Sequence, residues 1–145
     1  TPMTSHVNCI FCAIVAGQAP CHKIIETDDV LAFMDVFPAS DGHALVIPRA
    51  HFENIYETTD VAVAQVFAVA RQLALAIRTE FAPDGMTVTQ ANGEAAGQTV
   101  PHYHVHLIPR SAGAPRRGHA ERKAAPETLG AHAQRLAKAY VDVGL

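Results

Sequence analysis

Tryptophan is absent from these 145 residues, aromatic side chains make up only 6%, and neither sign of charge dominates. Eleven Lys and Arg stand against fourteen Asp and Glu, for a formal net charge of −3. Without a basic excess, a broad nucleic-acid surface is not expected. A small anionic ligand still fits, because the local charge of a pocket need not follow the total. No apolar run reaches the ~18 residues of a membrane helix, so no membrane partner is expected. The apolar stretch from Cys9 to Gly17 has no Lys or Arg before it and so lacks the charged start of a signal peptide. It reads as part of the fold, and the protein as cytoplasmic. Cysteine is sparse and odd in number (Cys9, Cys12 and Cys21), which argues against a disulfide framework. There is no internal repeat and no low-complexity tract.

What is present is an ordinary globular composition, 49% hydrophobic and 17% charged, at a length that suits one domain spanning 1–145. Ile10 to Ala16 can form a short helix ended by Gly17. Lys23–Glu26 and Val30–Phe33 read as strands around the turn Thr27-Asp28-Asp29, and His43–Ile47 as a third strand stopped by Pro48. Asp60 to Phe81 carries Val63, Val66, Phe67, Ala70, Leu73, Ala74 and Ile77 at helical spacing, with Asp60 as N-cap. Met86–Gln90 and His102–Ile108 are further strands, the last closed by Pro109, and Pro126–Val141 is a second long helix. Short connections favour hairpins and meanders. The expected class is therefore α+β: a five-stranded antiparallel sheet with one long and one C-terminal helix, a core at about 9–110, and a basic loop and helix at 111–145.

The segment His102-Tyr103-His104-Val105-His106-Leu107-Ile108 alternates histidine with apolar or aromatic residues. In a strand, i, i+2 and i+4 share a face, which sets the three imidazoles side by side at ~6.6 Å intervals. Tyr103, Val105 and Leu107 then face a core. Imidazole near neutral pH serves as nucleophile, base or hydrogen-bond donor. Three in a row can divide those roles along a phosphate, one attacking phosphorus while its neighbours fix the tautomer and hold the oxygens. A strand-borne metal site, or a chance run of surface histidines, answers the same spacing.

The segment resembles the H-φ-H-φ-H-φ-φ signature of the histidine-triad (HIT) family. The likeness extends over roughly Cys9 to Arg110. Cys9-Ile10-Phe11-Cys12-x-Ile14, Leu31-Ala32-Phe33-Met34-Asp35, Gly42-His43-Ala44-Leu45-Val46-Ile47-Pro48 and Asn92-Gly93 all stand in the family's order. It is most similar to the small bacterial hydrolases of the Hint-like branch, and implies a HIT-like fold.

By this resemblance His104 is the nucleophile and forms a nucleotidyl-histidine that water hydrolyses, with His102, His106 and His43 completing the catalytic set. His43 supports the triad from the neighbouring strand. The resemblance gives His106, Gln98 and Thr99 to the phosphate oxygens, and lets the Thr99 hydroxyl help protonate the leaving group. It gives Asp35 to the ribose hydroxyls, Asn92 to ribose or phosphate, and Phe11, Ile14, Phe33 and Val36 to the walls of a purine pocket. The implied activity is hydrolysis of a purine nucleoside 5'-phosphoramidate or related adenylate at the α-phosphorus, with no catalytic metal required. A diadenosine polyphosphate hydrolase of the Fhit-like branch shares the triad. A nucleotide-binding regulator with little turnover, or a zinc-dependent interaction module, would also carry such histidines. Family members are commonly homodimers, joined through the long helix and a strand edge.

Cys9-x-x-Cys12 is a zinc signal in itself, although two packed thiols or a redox pair share the pattern. His51 and His102 are the candidates that would close a tetrahedron. The set resembles bacterial family members in which two Cys and two His hold a structural Zn2+. Cys21 carries no partner in the sequence. His6, His22, His119 and His132 read as surface residues, and Arg110, Arg116, Arg117, Arg122 and Lys123 as a basic stretch that could border a phosphate site.

Overall fold

The computed structural model describes residues 8–114 and 123–145. Of the basic stretch, Arg116, Arg117 and Arg122 lie outside the described residues, as do His6 and His119. The elements run α1 (Ile10–Val15), β1 (Lys23–Glu26), β2 (Val30–Met34), β3 (Ala44–Pro48), α2 (Asp60–Phe81), β4 (Gly85–Thr89), β5 (Val105–Arg110) and α3 (Pro126–Val143). The strands form one sheet in the order β1-β2-β3-β5-β4, every neighbour antiparallel. The α+β class and five-stranded antiparallel sheet expected from the sequence are what is found.

The sheet divides its residues between two apolar clusters. Val30, Ala32 and Met34 of β2 and Ala44 and Val46 of β3 join the cluster that holds the buried sides of α2 and α3. The residues between them, Leu31, Phe33, Leu45 and Ile47, join Cys9, Phe11 and Cys12 on the opposite face. This is the period-two side-chain geometry of a strand, here with both faces covered. It explains why β2 and β3 are buried at all five positions.

Local chemistry sets the boundaries. α1 opens on Cys9, whose sulfur accepts the Cys12 N–H at 3.3 Å. α2 is capped by Thr59 rather than Asp60. The Thr59 hydroxyl accepts the Ala62 N–H at 3.1 Å, and Asp60 occupies the first turn, where a carboxylate favours the positive end of the helix. The buried stripe of α2 is Ala62, Val66, Val69, Ala70, Leu73, Ala76 and Ile77, so the expected stripe is rotated and Phe67 is exposed. Apolar residues occur all round this helix, and their spacing alone did not fix its phase. α2 is long and apolar enough by composition to cross a membrane, with a mean hydropathy of 1.5, but its stripe packs on the sheet in this fold.

The last strand begins at Val105, three residues later than expected, and continues through Pro109 to Arg110 opposite β4. Before Val105 the chain leaves the ladder: the Tyr103 N–H donates to the Phe52 carbonyl and the His102 N–H to the Val100 carbonyl. The alternation of faces survives all the same, because Tyr103 remains in the helical-face cluster with Val105 and Leu107.

Candidate functional site

On the face away from α2 and α3, the ends of β2 and β3 and the segment leading into β5 bring the histidines together. Backbone pairing runs one step past Met34 and Ala44, with the Asp35 N–H donating to the His43 carbonyl at 3.1 Å. Asp35 and His43 therefore sit side by side, while His106 lies opposite Leu45 on β3. Gly42, immediately before His43, has φ +91, and a Cβ built there would lie 3.1 Å from the Phe81 ring. The positive φ and the close approach of the Phe81 ring both favour glycine at this point, just ahead of β3.

The ring contacts assign the tautomers. The Ala39 N–H donates to His43 Nδ1 at 2.9 Å, so neutral His43 carries its proton on Nε2. That nitrogen lies 3.0 Å from His106 Nδ1 and 3.4 Å from the Asp35 carboxylate. Donation to His106 Nδ1 leaves the His106 proton on Nε2, as a donor. His104 Nδ1 lies 2.7 Å from the His102 carbonyl, which can only accept, so His104 holds its proton on Nδ1 and its lone pair on Nε2. The adjacent His104 and His106 rings, with centroids 4.9 Å apart, thus offer a nucleophilic nitrogen and a proton donor.

Both rings line a cleft of about 470 Å³ whose remaining wall is largely apolar, including Phe11, Phe33, Val36 and Leu45. Asp35 and Thr99 also line it. Asp35 is buried and already engaged: its Oδ1 accepts the Phe37 N–H at 2.8 Å and its Oδ2 faces His43 and His106.

Three expected pocket residues are placed elsewhere. Ile14 packs, partly buried, against the cluster of Cys9, Phe11 and Cys12. Gln98 is spent on its own loop, accepting from the Gly93 N–H and donating to the Glu53 and Val100 carbonyls. Asn92 accepts the Ile55 N–H and exchanges bonds with the Gln90 amide. Both residues brace the loop that carries Thr99 instead of facing the cleft. Ile10, Pro20, Cys21, Phe37 and Val100, which no motif singled out, line the cleft as well. They come from separated segments that share no periodic pattern.

Beside this cleft, Cys9, Cys12, His51 and His102 converge, all four buried, with their ligand atoms within 4.8 Å of one another. Sulfur-to-Nδ1 distances are 3.3 Å for Cys9–His102, 3.3 Å for Cys12–His51 and 3.6 Å for Cys12–His102. The S···N edge of a tetrahedron built on ordinary Zn–S and Zn–N bonds is about 3.6 Å. The tautomer fits as well. His102 Nε2 lies 2.8 Å from the Pro48 carbonyl and so carries the proton, turning the Nδ1 lone pair toward the sulfurs. Two soft sulfurs and two imidazoles form a closed set suited to zinc.

Burial above all, opposed by the Pro48 carbonyl and assisted by neighbouring His51 and His104, brings the His102 pKa down to about 4 from an ordinary 6.5. The unfolded chain takes up this proton below about pH 6.5 and the folded chain only below about 4. In metal-free protein, the stability tied to this group is complete above pH 6.5, falls across that window and is gone below 4, a loss of about 3 kcal/mol. Urea midpoints of chelator-treated protein measured from pH 7 to pH 4 check this, and a flat profile contradicts it.

Of the remaining candidates, His132 is half-buried, edge-on to Phe81 at 4.9 Å, and His22 is half-buried, its carbonyl accepting the Met34 N–H. Arg110 donates to the Thr87 hydroxyl, and the Lys123 ammonium lies 5.9 Å from the centre of the Phe37 ring.

A family model described as "HIT domain" matches residues 16–113. The chain is 52% identical over 103 residues to Protein hit of Bacillus subtilis, covering 71% of each chain. It is 42% identical over 104 residues to adenosine 5'-monophosphoramidase hnt1 of Schizosaccharomyces pombe, covering 72% of this chain and 75% of that one. A zinc-bound histidine triad family protein from Mycobacterium smegmatis has the same fold, with a TM-score of 0.84 at 33% identity, covering 94% of this chain and 96% of that one.

Proposed function

The chain belongs to the HIT family, and on that premise we propose that it hydrolyses purine nucleoside 5'-phosphoramidates or related adenylates at the α-phosphorus. The observation that carries this reading is the His104 ring, locked at Nδ1 by the His102 carbonyl and opening on a cleft with apolar walls. The named activity of the Schizosaccharomyces pombe relative supports the substrate class.

Apolar walls at Phe11, Phe33 and Val36 suit the flat faces of a purine, and Asp35 at the wall can accept from ribose hydroxyls through its remaining lone pairs. His104 Nε2 attacks phosphorus in line, the P–N bond breaks, and the amine leaves with a proton from the Thr99 hydroxyl or solvent. His106 Nε2–H donates to the phosphoryl oxygens as their charge grows. Water then attacks the nucleotidyl-histidine, releasing the nucleoside monophosphate and restoring the His104 lone pair. Splitting one displacement into two suits imidazole, which both attacks and leaves readily. Mixing with an AMP phosphoramidate, quenching in alkaline denaturant, which spares the P–N bond to histidine, and peptide mass spectrometry test the reading. One adenylyl mass on the peptide containing His104 is expected. Turnover without any such adduct during the steady state speaks against it.

The Cys9–Cys12–His51–His102 set holds Zn2+ in this reading, and its thiols stay reduced in the cytosol. The homodimer joins two copies through the edge strand β4 and the outer side of α2, where Val88 and Phe67 are exposed. Light scattering should give twice the 15.5 kDa chain mass, reduced by Val88→Lys, and a monomeric wild type refutes the arrangement.

A further inference from the structure

The geometry points to the Cys9–Cys12–His51–His102 centre as a control element for the cleft, so that metal and nucleotide each tighten binding of the other. This rests on the nucleotide reading above and adds a coupling to it.

His102 is the hinge of the inference. Its ring belongs to the metal set through Nδ1 and is fixed on its other side by the Pro48 carbonyl. Its own carbonyl, on the same residue, takes the His104 Nδ1–H at 2.7 Å. A ring held at both nitrogens fixes the His102 backbone, and that backbone selects the His104 tautomer that leaves Nε2 nucleophilic. A mere structural tie would touch the nucleophile at no such point.

The second link is Phe11. It sits between the two cysteines on α1, lines the cleft, and stands edge-on to both His102 and His104, with centroids 5.8 and 5.2 Å away. α1 has six residues, too few to hold a helix by its own backbone bonds. A metal joining Cys9 and Cys12 to His51, beyond β3, and His102, before β5, would clamp that short helix to the sheet. The cleft wall would then be set by the same four bonds that orient the nucleophile.

Coupling of this kind is reciprocal by thermodynamic necessity. AMP, the product of the proposed reaction, is the probe. Zinc-loaded protein is expected to bind AMP about tenfold more tightly than chelator-stripped protein by calorimetry, within the usual range for coupled sites. Saturating AMP must then raise zinc affinity by the same factor in competition with a chromophoric chelator. Nitrogen-15 spectra of the rings should show the Nδ1–H tautomer of His104 in loaded protein and averaging in stripped protein. Where circular dichroism shows that stripping unfolds the chain, Co2+-loaded protein reads the same link: its ligand-field band must move as AMP saturates. Equal AMP affinities together with an unchanged His104 tautomer, or a Co2+ band indifferent to bound AMP, overturn the coupling and leave the nucleotide reading intact. Failure of AMP to bind any form overturns that reading, and the coupling with it.

Discussion

Replacing His104 with glycine is expected to lower kcat for an AMP phosphoramidate by at least about 10⁴-fold, the scale of losing a covalent nucleophile. AMP affinity should change little. The ring contributes one face of the cleft, while Phe11, Phe33, Val36 and Asp35 remain to hold base and sugar. The two outcomes separate the rival readings. A regulator that turns over little has almost no kcat to lose. A module whose histidines are ligands should lose metal along with His104, yet the Cys2His2 set is complete without it. Steady-state hydrolysis, calorimetry and metal analysis on the one variant decide the matter. Turnover within tenfold of wild type would remove His104 from the nucleophile's role.

Metal loss should produce the largest stability change. Free zinc at a thousand times its dissociation constant stabilises the fold by about 4 kcal/mol, since the unfolded chain holds the metal poorly. At roughly 2–4 °C per kcal/mol for a chain of this size, chelation should lower Tm by about 8–16 °C. Cys12→Ser should reproduce most of that fall and make Tm insensitive to chelator. Cys21→Ser, outside the ligand set, should keep the response. Scanning calorimetry with and without chelator measures both. An unchanged wild-type Tm would leave the four side chains as a packed thiol–imidazole cluster.

The sequence made the sheet legible because β2 and β3 are short apolar runs, and β1 a β-branched pair between charged ends, all bounded by turns. The imidazole face was legible for a subtler reason. Strand alternation continues through Tyr103 and His104 although the ladder starts only at Val105, so the right side chains share a face on a shorter strand than expected. The Cys9, Cys12, His51 and His102 set rested on donor chemistry together with resemblance to a known family. Loop side chains escaped. Gln98 and Asn92 are absorbed by backbone groups of nearby loops, and such bonds leave no period to read. The Ala39 amide that fixes the His43 tautomer is equally silent, because every residue but proline owns an N–H. Asp35 was found, but its closeness to His43 and His106 depends on one extra step of β2–β3 pairing that spacing alone does not disclose.

Because neighbouring residues of β2 and β3 belong to opposite apolar clusters, these strands tolerate exchange of side chains far better than a change of length. Size-matched drift at Val30, Ala32 or Val46 alters the helical side and leaves the cleft wall as it is. Deleting a single codon within either strand would turn Leu31 and Phe33, or Leu45 and Ile47, toward the helices and carry their neighbours into the cleft. Within this family, natural variation in length should therefore collect in the connections and spare these two strands.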